Sequence, residues 1–276
     1  MSAPPRQQHP QPADVPAPRD APGAPVVGVR DLVMRYGAAE PVVEGVSLEV
    51  AEGQVVSLIG PSGSGKSTVL RAISGLHPPE AGTVELAVDR RQVGFLFQDD
   101  ALLPWRTARE NVALGLRLAG ASQAEALGEA DRWLARLGLT GFEARYPRQL
   151  SGGQRKRVAL AQVLARRPKL LLMDEPFASL DAIVRHHVTQ DLLGWVEREG
   201  IAVLLVTHDL EEAQAMSDVV YLLSQGPRAR IRDRYPVAIP RPRNLIAARG
   251  HPSFAPLLAR IWDDLSAEVG PVGSAA

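Results

Sequence analysis

A glycine-rich stretch, GPSGSGKST, most constrains what this chain can fold into. It follows the apolar run 55–59 and precedes a helix-compatible segment, 69–74, which predicts the order strand, glycine loop, helix. Glycines let a loop turn its N–H groups inward, and the helix adds its positive end, so the loop suits a triphosphate. Its residues are Gly60, Pro61, Ser62, Gly63, Ser64, Gly65, Lys66, Ser67 and Thr68.

Three of these side chains have expected roles in a nucleotide site. Lys66 would reach the β- and γ-phosphates, and the Ser67 hydroxyl would ligate Mg²⁺. Thr68 would add a donor near the α- and β-phosphates. The alternative is a flexible glycine loop with a solvated lysine, which the flanking strand and helix disfavour. The sequence therefore predicts nucleotide binding.

Composition narrows the class of protein. The 276 residues suit one large α/β domain or one domain with an inserted subdomain, and the formal net charge of +0 gives no field that attracts nucleic acid. The absence of cysteine excludes disulfides, zinc-cysteine sites and thiol catalysis. The longest apolar runs have the length of strands, so we expect no membrane span. Residues 1–25 are rich in proline and alanine, which predicts a disordered extension.

Before the glycine loop, 26–34 and 42–50 alternate apolar and polar residues and predict an antiparallel pair of strands. Tyr36, at the end of the first strand, would either stack on an adenine ring or pack on its own sheet. After the loop, 83–88 and 92–97 predict two short strands. The second ends at Gln98, whose amide oxygen would ligate Mg²⁺ or hold a water, or would simply be solvated.

Residues 99–150 predict a helical insertion, with apolar residues at helical spacing: Leu127, Ala130, Leu134 and Leu137. Near its start, before the helically spaced residues, the cluster 102–105 is either buried packing or a docking surface. After it, Ser151, Gly152, Gly153 and Gln154 precede a helix over 155–167 and form a second anion-binding surface. One triphosphate rarely needs two such surfaces, so the second would serve a nucleotide held by another copy of the chain. The alternatives are a plain N-cap at Ser151 and a solvated basic face at 155–157.

Two further strands end in candidate catalytic side chains. The apolar run 170–173 leads to Asp174, which would hold Mg²⁺ through its water shell, and Glu175, which would orient and deprotonate a water. The strand 201–206 precedes His208, which would donate a hydrogen bond to the γ-phosphate, and Asp209 would cap the next helix. Asp181 is expected to cap a helix, with a further role across a subunit contact. The alternative for Asp174 and Glu175 is that these two carboxylates cap loops.

The remaining chain predicts closing strands at 219–223 and 228–232, a basic proline-rich segment at 235–243, and an amphipathic terminal helix that folds back on the domain. Taken in order, GPSGSGKST, Gln98, LSGGQ, LLLMDEP, SLD and TH resemble the nucleotide-binding subunit of an ATP-binding-cassette (ABC) importer over about 26–265. The resemblance implies a P-loop NTPase α/β core with an N-terminal antiparallel β subdomain and an inserted helical subdomain. The implied domain spans 26–240, its helical subdomain about 99–155, and the tail 241–276.

The resemblance also assigns roles. It implies that Tyr36 stacks on adenine, that 60–68 is the Walker A loop, that Gln98 is the Q-loop glutamine and Asp174 the Walker B metal residue, and that Glu175 is the base and His208 the switch histidine. Ser151, Gly152, Gly153, Gln154 and Asp181 would meet ATP bound by a second copy. ATP and Mg²⁺ are the implied cofactors.

In that family, closure and reopening of the dimer drive a membrane permease fed by a periplasmic or lipid-anchored solute-binding protein. The implied location is the cytoplasmic face of the inner membrane. FQDDALLPWRTARENVALGL resembles nitrate, sulfonate, taurine and bicarbonate importers, and VAIPRPR favours aliphatic sulfonates. Ala161-Gln162 departs from the usual Ala-Arg. The competing hypothesis is a soluble ABC ATPase that acts on nucleic acid or ribosomes, against which the neutral charge and single cassette argue.

Overall fold

The computed structural model describes residues 23–178 and 180–269. Most of the predicted disordered extension lies outside these ranges, as do Ser179 and the end of the predicted tail. Within the extension, the prediction was wrong at its boundary, because the first strand already begins at Pro25. The start of this strand is held by a nearby segment of the same chain, since the Glu52 N–H donates to the Ala24 carbonyl at 3.0 Å.

Two sheets form the scaffold, with all elements numbered in chain order. The smaller sheet is antiparallel and contains, in spatial order, β2 (Val43–Ala51), β1 (Pro25–Met34) and β4 (Ala81–Leu86). The larger sheet contains, in spatial order, β5 (Val93–Leu96), β6 (Leu170–Asp174), β7 (Ala202–Val206), β3 (Val55–Ile59), β8 (Val219–Leu223) and β9 (Ile231–Pro236). Only β9 runs antiparallel to its neighbour within the larger sheet.

Eight α-helices surround the larger sheet in the described ranges: α1 (Lys66–Ser74), α2 (Ala108–Leu118), α3 (Gln123–Arg136), α4 (Gly152–Leu164), α5 (Ala182–Glu199), α6 (Leu210–Met216), α7 (Leu245–Arg249) and α8 (Phe254–Val269). The central strands β3, β6, β7 and β8 are buried along their whole length. Continuous apolar strands of this kind are typical of a parallel sheet covered on both faces. One hydrophobic cluster lies against α2 to α8, and the other joins the small sheet and α1.

The helical insertion follows from its sequence. Both α2 and α3 begin with capping boxes, Thr107 with Glu110 and Ser122 with Glu125, which satisfy N–H groups of the first turn. Trp133 of α3 packs edge to face on Trp195 of α5, with ring centroids 5.5 Å apart. This contact attaches the insertion to a helix of the main domain.

The C-terminal part differs from its prediction at one strand and agrees at the helix. Residues 228–232 were predicted to form the closing strand, but β9 spans Ile231–Pro236. Arg228 has a φ of 59°, in the left-handed region, so the chain is not extended at this residue. Tyr235, predicted to lie in the proline-rich segment, is in β9, and its hydroxyl donates to Asp264 of α8 at 2.7 Å. The terminal helix packs back on the domain as predicted, since Phe254 and Ile261 are buried in the core.

No helix within the described ranges combines the length and apolar character needed to cross a bilayer.

Candidate nucleotide-binding site

The candidate site lies at one edge of the larger sheet. Parallel strands β3, β6 and β7 end there at Ile59, Asp174 and Val206, and the chain continues directly into the glycine loop, Glu175 and the His208 segment. The carboxyl end of β5 leads to Gln98 at the same edge. In open α/β sheets this edge is where ligands bind.

The glycine loop has a backbone that larger residues cannot adopt. Gly65 has a φ of 92°, and a Cβ there would lie 2.6 Å from Val43 Cγ1. A Cβ on Gly60 would lie 2.6 Å from the Leu223 carbonyl oxygen. These two glycines therefore let the loop pass close to β2 and β8.

Lys66 is the first residue of α1, and its side chain returns into the loop. Its Nζ donates to the carbonyls of Gly60 at 2.9 Å and Pro61 at 2.8 Å. Burial lowers the pKa of the Lys66 ammonium, whereas the charges of Glu175 and Asp174 act in the opposite direction. The ammonium thus lies at the end of the sheet where a phosphate would meet it.

Ser67 and Asp174 join the loop to β6. The Ser67 hydroxyl donates to Asp174 Oδ1 at 2.8 Å, and burial is the main cause of the raised pKa of Asp174. Gln98, Asp174 and Arg71 line one surface depression beside them. Arg71 was not predicted from the sequence as a site residue, although it lies four residues after Ser67 and therefore on the same face of α1.

These groups fit a magnesium nucleotide. A hydroxyl, a carboxylate and an amide oxygen are hard oxygen ligands, which Mg²⁺ prefers together with phosphate oxygens and water. Within 23–178 and 180–269 no cluster of three His, Cys, Asp or Glu side chains could hold a metal alone. The buried Ser64 hydroxyl, within the loop, has no hydrogen-bond partner among the described residues.

Glu175 and His208 meet at the ends of β6 and β7. His208 Nδ1 lies 3.2 Å from Glu175 Oε2, and the imidazole is 64% exposed. The Glu175 N–H donates to the Val206 carbonyl at 2.9 Å, although Glu175 has a φ of 43°, which is uncommon for a residue with a side chain. Strained backbone of this kind often occurs at functional positions.

Tyr36 lies two residues beyond β1, and its ring packs on His77. The two ring centroids are 4.7 Å apart with an interplanar angle of 36°, and the Tyr36 hydroxyl lies 3.4 Å from Thr68 Oγ1. Tyr36 is 38% exposed. The structure therefore brings this ring beside the glycine loop.

Ser151 to Gln154 form the beginning of α4, away from the glycine loop of the same chain. The Ser151 hydroxyl accepts from the Gln154 N–H at 3.2 Å, and Gln154 Oε1 accepts from the Ser151 N–H at 2.9 Å. In the part of the chain that the structure describes, neither side chain hydrogen-bonds to 60–68. A Cβ on Gly153 would meet Val184 instead, in the first turn of α5 that Asp181 caps.

The basic residues after Gln154 are less exposed than one of the alternatives for them required. A solvated face was the alternative considered for 155–157, but the Lys156 side chain is only 1% exposed and pairs with Asp100, as does Arg155. Arg185 and Glu212 were also missed, and both lie behind His208, where Arg185 pairs with Asp209 at 3.4 Å and Glu212 accepts from Thr207 at 2.8 Å. Their side chains become relevant only once the fold brings α5 and α6 to Thr207 and Asp209, which follow β7.

Residues 43–178 match the family model described as ABC transporter. The chain is 44% identical over 214 residues to a taurine import ATP-binding protein, TauB, of Escherichia coli O157:H7, which covers 76% of this chain and 83% of that protein. It is 43% identical over 248 residues to an aliphatic sulfonates import ATP-binding protein, SsuB 2, of Rhizobium johnstonii, and the match covers 90% of this chain and 94% of that protein. A dimeric structure of the ATP-binding cassette MJ0796 bound to ADP and phosphate superposes with a TM-score of 0.69 at 32% identity, covering 77% of this chain and 99% of that chain.

Proposed function

The chain belongs to the ABC transporter family as an ATP-binding subunit, and on this premise we propose that it hydrolyses MgATP to power import of a small sulfonate through a membrane permease. The observation that carries the proposal is that three groups lie together at one edge of the sheet. They are the Lys66 ammonium in the glycine loop, the hydrogen-bonded pair Ser67 and Asp174, and the pair Glu175 and His208. A P-loop, a magnesium carboxylate and a base beside them are the parts that phosphoryl transfer to water needs.

Each side chain has a role in this proposal. Lys66 binds the β- and γ-phosphates, and Ser67, Asp174 and Gln98 hold Mg²⁺, directly or through water. Bound Mg²⁺ neutralises charge that develops on the transferred phosphoryl group. Glu175 accepts a proton from the attacking water. His208, whose ring contacts Glu175, donates a hydrogen bond to the γ-phosphate. Tyr36 stacks on the adenine.

We propose that the working unit contains two copies of the chain. The N–H groups at the start of α4 form a second anion-binding surface, and the Ser151 and Gln154 side chains each accept a hydrogen bond from the other residue's backbone N–H and make none to the glycine loop. A second copy would present its own Ser151, Gly152, Gly153, Gln154 and Asp181 to the nucleotide on the first. ATP bound between the copies stabilises the closed dimer because it contacts both, and hydrolysis removes that differential contact.

We also propose where the permease binds. A groove of about 340 Å³ runs between β5, α2 and α4, and Phe97, Leu118 and Val163 line it. Leu118 is 80% exposed and Trp105, in the loop before α2, 71% exposed. Leu102 packs partly on the core, so the predicted cluster 102–105 is divided between packing and an exposed aromatic ring. Exposed apolar side chains around a groove favour a protein partner.

Location and substrate follow from the proposed assembly. A subunit bound to a permease lies peripherally at the cytoplasmic face of the inner membrane, and a periplasmic or lipid-anchored solute-binding protein would deliver the solute from the other side. The named relatives import taurine or aliphatic sulfonates, so we propose a solute of this chemical class. The competing hypothesis of an ATPase that acts on nucleic acid or ribosomes has no counterpart among these relatives, and the net charge of +0 disfavours it.

The test is transport by the purified complex of this chain with its permease in lipid vesicles, with the solute-binding protein present on the side from which the solute is taken up. We expect ATP-dependent uptake of taurine or an alkanesulfonate, and a complex that carries Glu175→Gln as the matched control should not take up either. Nitrate and bicarbonate are the comparison solutes. Uptake of these two alone would contradict the sulfonate proposal, and uptake without ATP hydrolysis would contradict the proposed mechanism.

A further inference from the structure

Lys156 lies in the second turn of α4, just after Gln154, and its ammonium is buried. Its Nζ lies 2.9 Å from the Gln98 carbonyl oxygen, 3.3 Å from that of Phe97 and 3.1 Å from Asp100 Oδ1. An ammonium has three N–H donors. All three can therefore be satisfied by the short segment 97–100 that follows β5.

The choice of lysine fits this geometry. The chain contains many arginines but only three lysines, Lys66, Lys156 and Lys169. A compact ammonium can approach three oxygens that converge on one point, whereas a planar guanidinium presents its donors as a fork. Arg155, the neighbouring residue, contacts the other carboxylate oxygen of Asp100 through Nε at 3.1 Å. Asp100 is thus held between two cations of α4.

The contacts of Lys156 join three parts of the proposed machinery. Gln98 is a candidate magnesium ligand, and its backbone is bonded to the helix that carries Ser151 to Gln154 at its N-terminus. Phe97 and Asp100, the two other contacts, line the groove between β5, α2 and α4. Displacement of one of these parts must therefore strain the buried ammonium or move the others.

We propose that Lys156 is a positioning residue that makes the Gln98 segment and the start of α4 move as one body, so that an occupant of the groove acts on both nucleotide contacts together. The roles of Gln98 and of the groove rest on the proposed function. The mechanical link between 97–100 and α4 does not depend on it.

A distance measurement tests the link without hydrolysis. Because the chain has no cysteine, Asp99→Cys and Arg148→Cys introduce two unique, exposed sites for spin labels, one in the segment and one just before α4. Lys156→Met keeps a long side chain but removes the charge and the donors, and Lys169→Met makes the same change at an exposed lysine. We expect a broader distribution of label distances in Lys156→Met than in the parent and Lys169→Met. Equal widths would overturn the proposal.

A second variant covers the case in which Lys156→Met does not fold. Asp100→Asn removes the carboxylate charge at a position that is 19% exposed, and it should broaden the same distribution to a smaller extent. Thermal unfolding followed by circular dichroism establishes that each variant is folded. A folded Asp100→Asn variant with the parent distribution would count against the link.

Hydrolysis by the full chain tests the consequence for the reaction. We expect Lys156→Met to lower kcat about 3- to 30-fold, with KM for ATP within about twofold of the parent, because coupling along packed networks has roughly that size. Unchanged kcat with a broadened distance distribution would refute the positioning role. An inactive parent would instead count against the proposed function, and the label distances would still decide whether Lys156 joins the two segments.

Discussion

His208 Nδ1 lies 3.2 Å from Glu175 Oε2, although the two residues follow different strands. Their closeness is a consequence of register. β6 and β7 are parallel neighbours in which Asp174 lies opposite Val206, so the chains that leave both strands start side by side. The base and the histidine are therefore positioned by the sheet, and a change at either one leaves this framework intact.

The first prediction concerns the base. Glu175→Gln should lower kcat for MgATP hydrolysis by about 100- to 10,000-fold, since an amide cannot accept the proton of the attacking water. The amide has nearly the same shape, so ATP-induced dimerisation should persist. Phosphate release measures the rate, and light scattering measures the dimer.

Glu199→Gln is the matched control, because Glu199 is exposed at the last turn of α5. It should hydrolyse ATP as the parent does. Hydrolysis by Glu175→Gln at the parent rate would show that another group is the base.

The second prediction concerns the adenine contact. Tyr36→Ala should raise KM for ATP about 5- to 150-fold with little change in kcat, because stacking of a base on an aromatic ring contributes about 1–3 kcal/mol. Tyr36→Phe should behave like the parent, since the ring is kept and the hydroxyl makes only a 3.4 Å contact with Thr68. Tyr146→Ala is the control, as Tyr146 has the same exposure of 38%. An unchanged KM in Tyr36→Ala would exclude this tyrosine from the site.

The third prediction concerns the loop backbone. Gly65→Ala should weaken ATP binding at least about tenfold and destabilise the fold by about 1–3 kcal/mol, because its Cβ would clash with Val42 and Val43 at a φ of 92°. Gly128→Ala is the matched control in the interior of α3, where, apart from the two chain neighbours and the backbone of the helix itself, no atom lies within 4 Å of the added Cβ. It should stabilise the protein by up to about 1 kcal/mol. Calorimetric ATP titration and urea unfolding measure both effects, and equal behaviour of the two variants would refute the strain argument.

The sequence predicted those parts of the site that depend on local order along the chain. The run 55–59, the glycine loop and α1 are consecutive, and so are β6 and Asp174, so pattern and spacing sufficed. The burial of Lys156 could not be predicted, because a lysine between two arginines is typical of a solvated helix face. Only the packing of α4 against 97–100 buries its side chain. The strand predicted at 228–232 failed because nothing in the residue types reveals the left-handed φ of Arg228.

The last prediction concerns Glu212, which lies behind His208 on α6. Its side chain is buried and accepts a hydrogen bond from the Thr207 hydroxyl, and the Asp209 N–H donates to that same hydroxyl at 3.1 Å. Burial is the main cause that raises the pKa of Glu212 from 4.5 to about 7, with Asp209 adding to it and the Thr207 hydrogen bond, Arg185 and His208 opposing it.

The sign of the pH dependence follows from proton binding. Between these two pKa values the folded protein holds a proton that the unfolded chain has lost, so the free energy of unfolding should fall as pH rises from about 5 to about 7, and this contribution should level off above. A shift of this size corresponds to about 3 kcal/mol. Glu212→Gln keeps an acceptor for Thr207 but carries no charge. It should therefore match the parent near pH 5 and exceed its stability near pH 8 by about 1–3 kcal/mol.

Urea unfolding of the parent and of Glu212→Gln at several pH values between about 5 and about 8 measures this difference. Glu211→Gln is the control, since Glu211 is 54% exposed and pairs with Arg249 on the surface, where an ion pair contributes only about 0–1 kcal/mol. Its stability should differ from the parent by a similar small amount at every pH. A constant offset between Glu212→Gln and the parent would mean that Glu212 ionises at its ordinary pKa, and that the loop of His208 tolerates a charged carboxylate beneath it.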